Sequence, residues 1–153
     1  MPEPLFHIAL VHPEIPQNTG NVGRLCLAVG ARLHLVHPLS FQTDEKAVRR
    51  AGLDYWKHVD VVEHADLDAF LAWLGPRRDH RFSSHGVTPY TRVDYAAGDV
   101  LVFGRESVGL PRDFVGDRGV RIPMVGATRS LNLSNAAAVV AYAALQRLRP
   151  ELF

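Results

Sequence analysis

The chain has 153 residues, a usual length for one domain, so we expect residues 1–153 to form a single domain. Its hydrophobic fraction of 47% and charged fraction of 22% exclude a disordered chain, and its one cysteine excludes an internal disulfide and any zinc site built from several cysteines. A net charge of only +1 gives no global attraction to nucleic acid. With no signal-peptide pattern and no long apolar stretch, we expect a cytoplasmic protein that does not contact a membrane.

Short β-rich runs alternate with helical runs along the chain. Strands are predicted at residues 6–11, 33–36, 59–62, 99–104 and 120–123. Helices are predicted at residues 18–29, 44–50, 66–73 and 131–149. This alternation predicts an α/β fold, with a mostly parallel sheet flanked by helices and ligands at the carboxyl ends of the strands.

The last predicted helix contains a run, residues 136–145, that is apolar on every side. A helix of this kind has to be buried all round, and a chain of this length offers few such places. We therefore expect a homodimer in which this helix contributes to the interface between subunits.

Two loops that follow predicted strands are rich in glycine. Residues 13–24 place Gly20 and Gly23 at the start of a helix, where free amide groups favour an anion, although a capped helix end would look the same. The segment lacks the ending of a P-loop and the first glycine of a dinucleotide fingerprint. Residues 103–111 carry Glu106 between two glycines, without the spacing of a serine-hydrolase elbow. This second loop is suited either to wrapping a small molecule or to a plain turn.

A third loop, residues 122–135, is rich in small polar side chains at the point where the last helix begins. Capping that helix needs one such residue, and the loop supplies four: Ser130, Asn132, Ser134 and Asn135. The excess favours a binding or catalytic site.

The eight histidines do not form a metal-binding pattern. His34 and His37, for example, lie three apart on a predicted strand, so their side chains point to opposite faces. His85, in a loop that contains Gly86, is placed to line a pocket. We expect no metal ion.

In order and spacing, these segments resemble the motifs of the SPOUT RNA methyltransferases, most closely those of the TrmL-type tRNA (cytidine/uridine wobble) 2′-O-methyltransferases. The resemblance is carried by residues 13–21, 49–55, 103–106, 122–124 and 129–135. It implies a C-terminal deep trefoil knot and a homodimer. It also implies methyl transfer from S-adenosylmethionine to the ribose 2′-hydroxyl of the wobble pyrimidine in a tRNA anticodon stem-loop, with S-adenosylhomocysteine as product.

The resemblance also implies roles for individual residues. The catalytic set would be Arg24, Asn18, Ser134 and Asn135. The donor would be bound by Phe82, Ser83, Gly104, Glu106, Ile122, Met124, Ser130 and Leu131. RNA would be contacted by Arg24, Arg49, Arg50 and Tyr142. Because arginine stays protonated, we expect Arg24 to hold a phosphate and stabilise developing oxyanion charge rather than to act as the base.

The sequence departs from the family pattern in one loop, and three functions other than wobble methylation are alternatives. Residues 83–86 read Ser-Ser-His-Gly, where the family has a Thr-Thr-Lys-Gly type of sequence, so one expected lysine is missing. The alternatives are a SPOUT 2′-O-methyltransferase that acts on another tRNA position or on rRNA, and a non-catalytic RNA-binding dimer. A dinucleotide-dependent oxidoreductase is disfavoured, because its glycine and acidic pair are missing.

Overall fold

A parallel sheet organises the structure, a computed structural model that describes residues 2–43, 46–51 and 53–153. Within these residues it has seven strands: β1 (Phe6–Val11), β2 (Ala31–Val36), β3 (Val61–His64), β4 (Asp79–Phe82), β5 (Thr88–Pro89), β6 (Val100–Phe103) and β7 (Gly119–Arg121). Their order is β3-β2-β1-β6-β4-β7-β5, and the pairs between neighbours are parallel. All carboxyl ends therefore meet along one edge of the sheet.

Helices connect and cover these strands. They are α1 (Pro16–Val29), α2 (Lys46–Ala51), α3 (Leu67–Leu74), α4 (Arg112–Val115) and α5 (Leu133–Leu148), with short 3₁₀ helices at Leu53–His58, Tyr90–Arg92 and Pro150–Leu152. Pro16 suits the first turn of α1 because a first-turn residue needs no amide hydrogen bond. Gly30 ends the same helix at a φ of 75°, which glycine adopts without strain.

The predicted α/β fold with a mostly parallel sheet is confirmed, and most of the predicted elements are present. Strand β1 has the predicted bounds. The strand predicted at residues 59–62 lies two residues later in the chain, as β3. Of the helix predicted at residues 44–50, residues 44 and 45 lie outside the described residues, and residues 46–50 lie in α2. Strands β4 and β5 and helix α4 were not predicted.

Two apolar cores lie on opposite faces of the sheet, because side chains alternate along each strand. On β1, Ile8 and Leu10 belong to the core that α1 and α5 cover. Ala9 and Val11 belong to the core that α3 and α4 cover. Cys26 of α1 is buried in the first core, and burial raises the pKa of its thiol. Both sheet faces are thus covered, as a parallel sheet requires.

A row of buried histidines crosses β1, β2 and β3 on the α3 face of the sheet. Nδ1 of His7 lies 2.9 Å from Nε2 of His34, and Nδ1 of His34 lies 3.0 Å from Nε2 of His64. Trp73 of α3 covers the row, with its ring 4.2 Å from that of His34. Burial lowers the pKa of His7 to about 4 and that of His34 to about 2. The row is therefore neutral at physiological pH.

Helix α5 is buried on one side only within the single chain, so burial on every side would need a second subunit, and the subunit interface stays a prediction. Ala137, Val140 and Ala141 are fully buried against the sheet and α1, whereas Val139 and Tyr142 are 37% and 44% exposed. The reason is geometric: α5 lies in the outer layer and has only one sheet to cover. Its outward face carries exposed Val139 and Tyr142 at its middle and the polar side chains of Asn135, Gln146 and Arg147 toward its ends.

Candidate donor pocket and polar network

A cavity of about 670 Å³ lies at the carboxyl ends of β1, β4, β6 and β7. All eight residues expected to bind the donor line it: Phe82, Ser83, Gly104, Glu106, Ile122, Met124, Ser130 and Leu131. Asn18, expected to be catalytic, lines it as well. The rings of Phe82 and Phe103 stack 4.8 Å apart at its wall. The parallel sheet thus brings together the three loops that follow β1, β6 and β7.

The loop after β6 is folded tightly on itself. Gly109 N donates to Arg105 O at 2.8 Å, and Gly109 has a φ of 73°. A side chain at Gly104 would place its Cβ 2.1 Å from backbone atoms of Gly109 and Leu110. Only glycine therefore fits at position 104, and this close approach fixes the path of the loop that carries Glu106.

Glu106 joins this loop to the loop after β1. Its carboxylate accepts hydrogen bonds from the backbone amides of Glu14 at 2.8 Å and Ile15 at 2.9 Å, and from Asn18 Nδ2 at 3.1 Å. Ile15 is the N-cap residue of α1 and its side chain makes no cap, so Glu106 fixes the entry to this helix through the amides of residues 14 and 15 instead. In return, Glu14 Oε1 accepts from Ser107 N at 2.9 Å. Hydrogen bonds from Ser107 lower the pKa of Glu14.

Asn18 extends the same connection to the start of α5. Its Oδ1 accepts from Asn132 Nδ2 at 3.1 Å, and Ser134 Oγ, 3.4 Å from the same oxygen, donates to Asn132 Oδ1 at 2.6 Å. Asn132 is the N-cap of α5, and its Oδ1 accepts from Ser134 N at 2.9 Å and Asn135 N at 3.3 Å. We call Glu106, Asn18, Asn132 and Ser134 the polar network. It fixes the orientation of the Asn18 amide, with Nδ2 toward Glu106 and Oδ1 toward α5.

The other predicted site residues lie outside the cavity lining. Arg24 is exposed, and its guanidinium carbon lies 4.9 Å from the centre of the Tyr55 ring. Arg49 and Arg50 are exposed on α2, and Tyr142 is exposed on the outward face of α5. Ser134 and Asn135 begin α5 beside the cavity, with Asn135 exposed. One chain therefore assembles the predicted donor site but not the predicted RNA-contacting set.

Sequence reasoning missed several residues of this site. Asn132 was counted only as one polar residue among four, although its cap position signals a side chain held by backbone amides. Glu14 carried no signal, because its partner Ser107 lies 93 residues away. Arg112 was also missed; its Nη2 lies 3.2 Å from His85 Nε2, and both residues line the cavity.

Two kinds of feature are missing from the part of the chain that the structure describes. Within it, no three His, Cys, Asp or Glu side chains are grouped so that they could hold a metal ion. Within the same residues, no helix has the length and apolar character needed to cross a membrane.

Comparison with known proteins identifies relatives along nearly the whole chain. The SpoU rRNA Methylase family matches residues 5–142. A tRNA (cytidine(34)-2′-O)-methyltransferase of Saccharophagus degradans is 47% identical over 148 residues, covering 94% of this chain and 96% of the relative.

Solved structures give the same result. One, described as giving structural insights into the 2-OH methylation of C/U34 on tRNA, has a TM-score of 0.92 and 43% identity, covering 96% of this chain and 98% of that chain. An AdoMet-bound rRNA methyltransferase from Sinorhizobium meliloti has a TM-score of 0.85 and 25% identity, covering 99% of this chain and 58% of that chain. The chain thus matches 98% of the length of the first of these proteins and 58% of the length of the rRNA methyltransferase.

Proposed function

This chain belongs to the SpoU rRNA Methylase family, and we propose that it transfers a methyl group from S-adenosylmethionine to the ribose 2′-hydroxyl of the wobble pyrimidine nucleotide of tRNA. The observation that carries the proposal is the convergence of the three loops on one cavity, with all eight expected donor residues in its lining. Relatives that share its whole length are named for this reaction.

The cavity fits a bound S-adenosylmethionine. Its volume of about 670 Å³ lies within the range of roughly 300–1,000 Å³ that is usual for small-molecule sites. Apolar side chains such as Phe82, Phe103 and Ile122 suit an adenine ring. When bound, the donor supplies an electrophilic methyl group and leaves as S-adenosylhomocysteine.

The protein's own contribution is positioning and charge. Asn18 Oδ1 already accepts a hydrogen bond from Asn132, so Asn18 can offer a substrate oxygen only the remaining hydrogen of Nδ2. Arg24 holds an RNA phosphate and stabilises the negative charge that develops on the ribose oxygen. Since a guanidinium stays protonated, the hydroxyl proton passes to a phosphate oxygen or to water.

The position of Arg24 supports a homodimer. Arg24 is exposed and absent from the cavity lining of its own chain, so a second subunit is needed to bring an Arg24 to each donor. The exposed Val139 on the outward face of α5 supplies an apolar contact for that interface, and the exposed Tyr142 is left for RNA. In the dimer, Arg24, Arg49, Arg50 and Tyr142 contact the anticodon stem-loop, and Ser134 and Asn135 flank the transfer point.

We infer further that residues 1–153 form one domain with a C-terminal trefoil knot. Strand β7 lies between β4 and β5, which precede it in the chain. The loop that joins those two strands passes closely over β7: Ser83 N donates to Val120 O at 2.8 Å and Val87 N to Gly119 O at 3.0 Å. A Cβ on Gly86 would fall 2.5 Å from the Val120 backbone. Such a loop, closed around a later strand, is what a threaded chain requires.

The test is methyl transfer from labelled S-adenosylmethionine to bulk tRNA from cells that lack this protein, followed by nucleoside mapping. We expect a 2′-O-methylated pyrimidine at the wobble position. The matched control is an anticodon stem-loop with a 2′-deoxy wobble nucleotide, which lacks the attacking oxygen and should accept no label.

The other outcomes identify the alternatives. Label at another tRNA position, or in rRNA only, would contradict the wobble assignment and leave a methyltransferase of different specificity. Failure to bind the donor and to methylate any RNA would favour a non-catalytic RNA-binding dimer. A fully active Arg24→Ala variant would remove Arg24 from the mechanism.

A further inference from the structure

We propose that Tyr55 is a positioning residue for Arg24: its ring holds the guanidinium in place for an RNA phosphate without neutralising its charge. The inference rests on the proposed role of Arg24 in methyl transfer. It concerns a side chain outside both the cavity and the polar network, on the 3₁₀ helix Leu53–His58.

Close packing between this 3₁₀ helix and α1 brings the two residues together. A Cβ on Gly23 would lie 2.7 Å from Cζ3 of Trp56 and 2.9 Å from its Cε3, so the Trp56 ring occupies the space that a side chain at position 23 would fill. Gly23 and Arg24 are neighbours on α1, as Trp56 and Tyr55 are on the 3₁₀ helix. The Trp56 contact therefore brings close together the two backbone segments that carry Tyr55 and Arg24.

The contact itself is a cation–π interaction. The Arg24 guanidinium carbon lies 4.9 Å from the centre of the Tyr55 ring, inside the range of about 6 Å over which such contacts are attractive. An exposed arginine samples many rotamers. A reaction that needs one particular rotamer is therefore slowed by the loss of conformational entropy when the side chain is ordered. A ring that favours one arrangement beforehand reduces that cost.

The choice of an aromatic partner matters because of charge. Among the residues that the structure describes, no carboxylate forms a salt bridge with Arg24. A carboxylate would compete with the phosphate for the guanidinium, whereas a neutral ring leaves its hydrogen-bond donors unoccupied. Arg24 is thus held in place with its charge still available.

Two other arginines on aromatic rings provide a contrast. Arg81 lies 4.0 Å from the centre of the Phe114 ring, but it also pairs with Asp79 at 2.6 Å. Arg77 lies 4.3 Å from the Trp73 ring and also donates to Trp73 O. These two guanidinium groups have acceptors and serve the fold. Of the three, Arg24 is the one that the proposed reaction uses.

The test compares Tyr55→Leu, which removes the ring, with Tyr55→Phe, which keeps it. We expect the single-turnover methyl-transfer rate of Tyr55→Leu to fall by a factor between about 3 and about 30, the range for exposed to desolvated cation–π contacts. Tyr55→Phe should stay within about twofold of the unmodified protein, since its ring face is retained. The donor Kd and the Tm should not change, because Tyr55 is exposed and outside the cavity lining.

A double-mutant cycle with Arg24→Ala separates this proposal from its rivals. With Arg24 absent, Tyr55→Leu should cause no further loss of rate. An equal loss in both backgrounds would overturn the proposal and mean that the ring contacts RNA itself, and full activity of Tyr55→Leu would overturn it too. If Arg24→Ala were fully active, the proposed role of Arg24 would fail first, a result distinct from a failure of Tyr55 alone.

Discussion

Two side-chain networks, each spanning three segments of the chain, differ in almost every other respect. The histidine row crosses the middle of β1, β2 and β3, is covered by Trp73, and is neutral. The polar network lies at the carboxyl ends of the strands, carries the Glu106 carboxylate, and borders the cavity. The three histidines are buried, whereas Asn18 is the one buried member of the polar network, and only the polar network faces a space that a substrate can enter.

The difference shows how position in a parallel sheet separates stability from chemistry. In the histidine row, His34 uses both of its ring nitrogens on neighbouring histidines. In the polar network, the amide of Asn18 is held on both sides and still keeps one N–H hydrogen beside the cavity. Substitutions in the histidine row should therefore reduce stability and leave methyl transfer unchanged. Substitutions in the polar network should reduce methyl transfer more than stability.

The largest expected effect is that of Glu106→Gln. The substitution preserves the shape of the side chain, but it replaces one carboxylate oxygen, a hydrogen-bond acceptor, with an NH2 group that points at N–H donors. We expect methyl transfer to fall by about tenfold to hundredfold, because small displacements of catalytic groups have effects of this size. The measurement is the single-turnover rate at saturating donor.

The matched control for this substitution is Glu63→Gln. Glu63 accepts from His37 Nε2 at 2.8 Å, but both side chains are exposed and neither lines the cavity. Its rate should remain unchanged. A rate for Glu106→Gln within twofold of the unmodified protein would refute the positioning role of the polar network.

His34→Leu should have the opposite pattern. It leaves Nδ1 of His7 and Nε2 of His64 buried without their partner, so we expect the free energy of unfolding to fall by about 2 kcal/mol. Denaturant unfolding measures that loss of free energy. Methyl transfer measured at denaturant concentrations below the unfolding transition checks that activity is retained. Lost activity in a fully folded His34→Leu sample would contradict the separation of the two networks.

The smallest effect concerns pH. Burial lowers the pKa of His7 to about 4 and that of His34 to about 2, so below pH 6.5 the unfolded chain binds protons that the folded chain does not. Stability should therefore fall as the pH drops through 6.5, by about 1 kcal/mol between pH 7 and pH 6. Tm measured against pH checks this. The slope should be shallower in His34→Leu, and equal slopes would exclude the histidine row as the cause.

The sequence predicted those parts of the fold whose apolar pattern is local. Strand β1 is an uninterrupted buried run and had the predicted bounds. Strand β4 was missed because it reads as polar, Asp-His-Arg-Phe. Beyond the local pair of Asp79 with Arg81, its polar residues have tertiary partners: Asp79 also pairs with Arg118, and His80 pairs with Asp99. No local pattern contains that information.

The sequence predicted which loops form the site but not how their side chains are arranged. Family resemblance identified eight of the residues that line the cavity, and the strand-end rule predicted that the loops converge. The order of the strands, and so the hydrogen bonds that join Glu106 to Asn18 and Asn18 to Asn132, could not be predicted, because residues far apart in sequence make them. For the same reason, the contact between Arg24 and Tyr55 was not foreseen.

The polar network also constrains how the molecule acquires its binding site during folding. Asn18 meets Glu106 across 88 residues of chain and Asn132 across 114. Closing such long loops is entropically costly, and folds rich in distant contacts form slowly. We therefore expect the cavity to form late in folding, so that a bound S-adenosylmethionine would stabilise the finished chain without guiding its early steps.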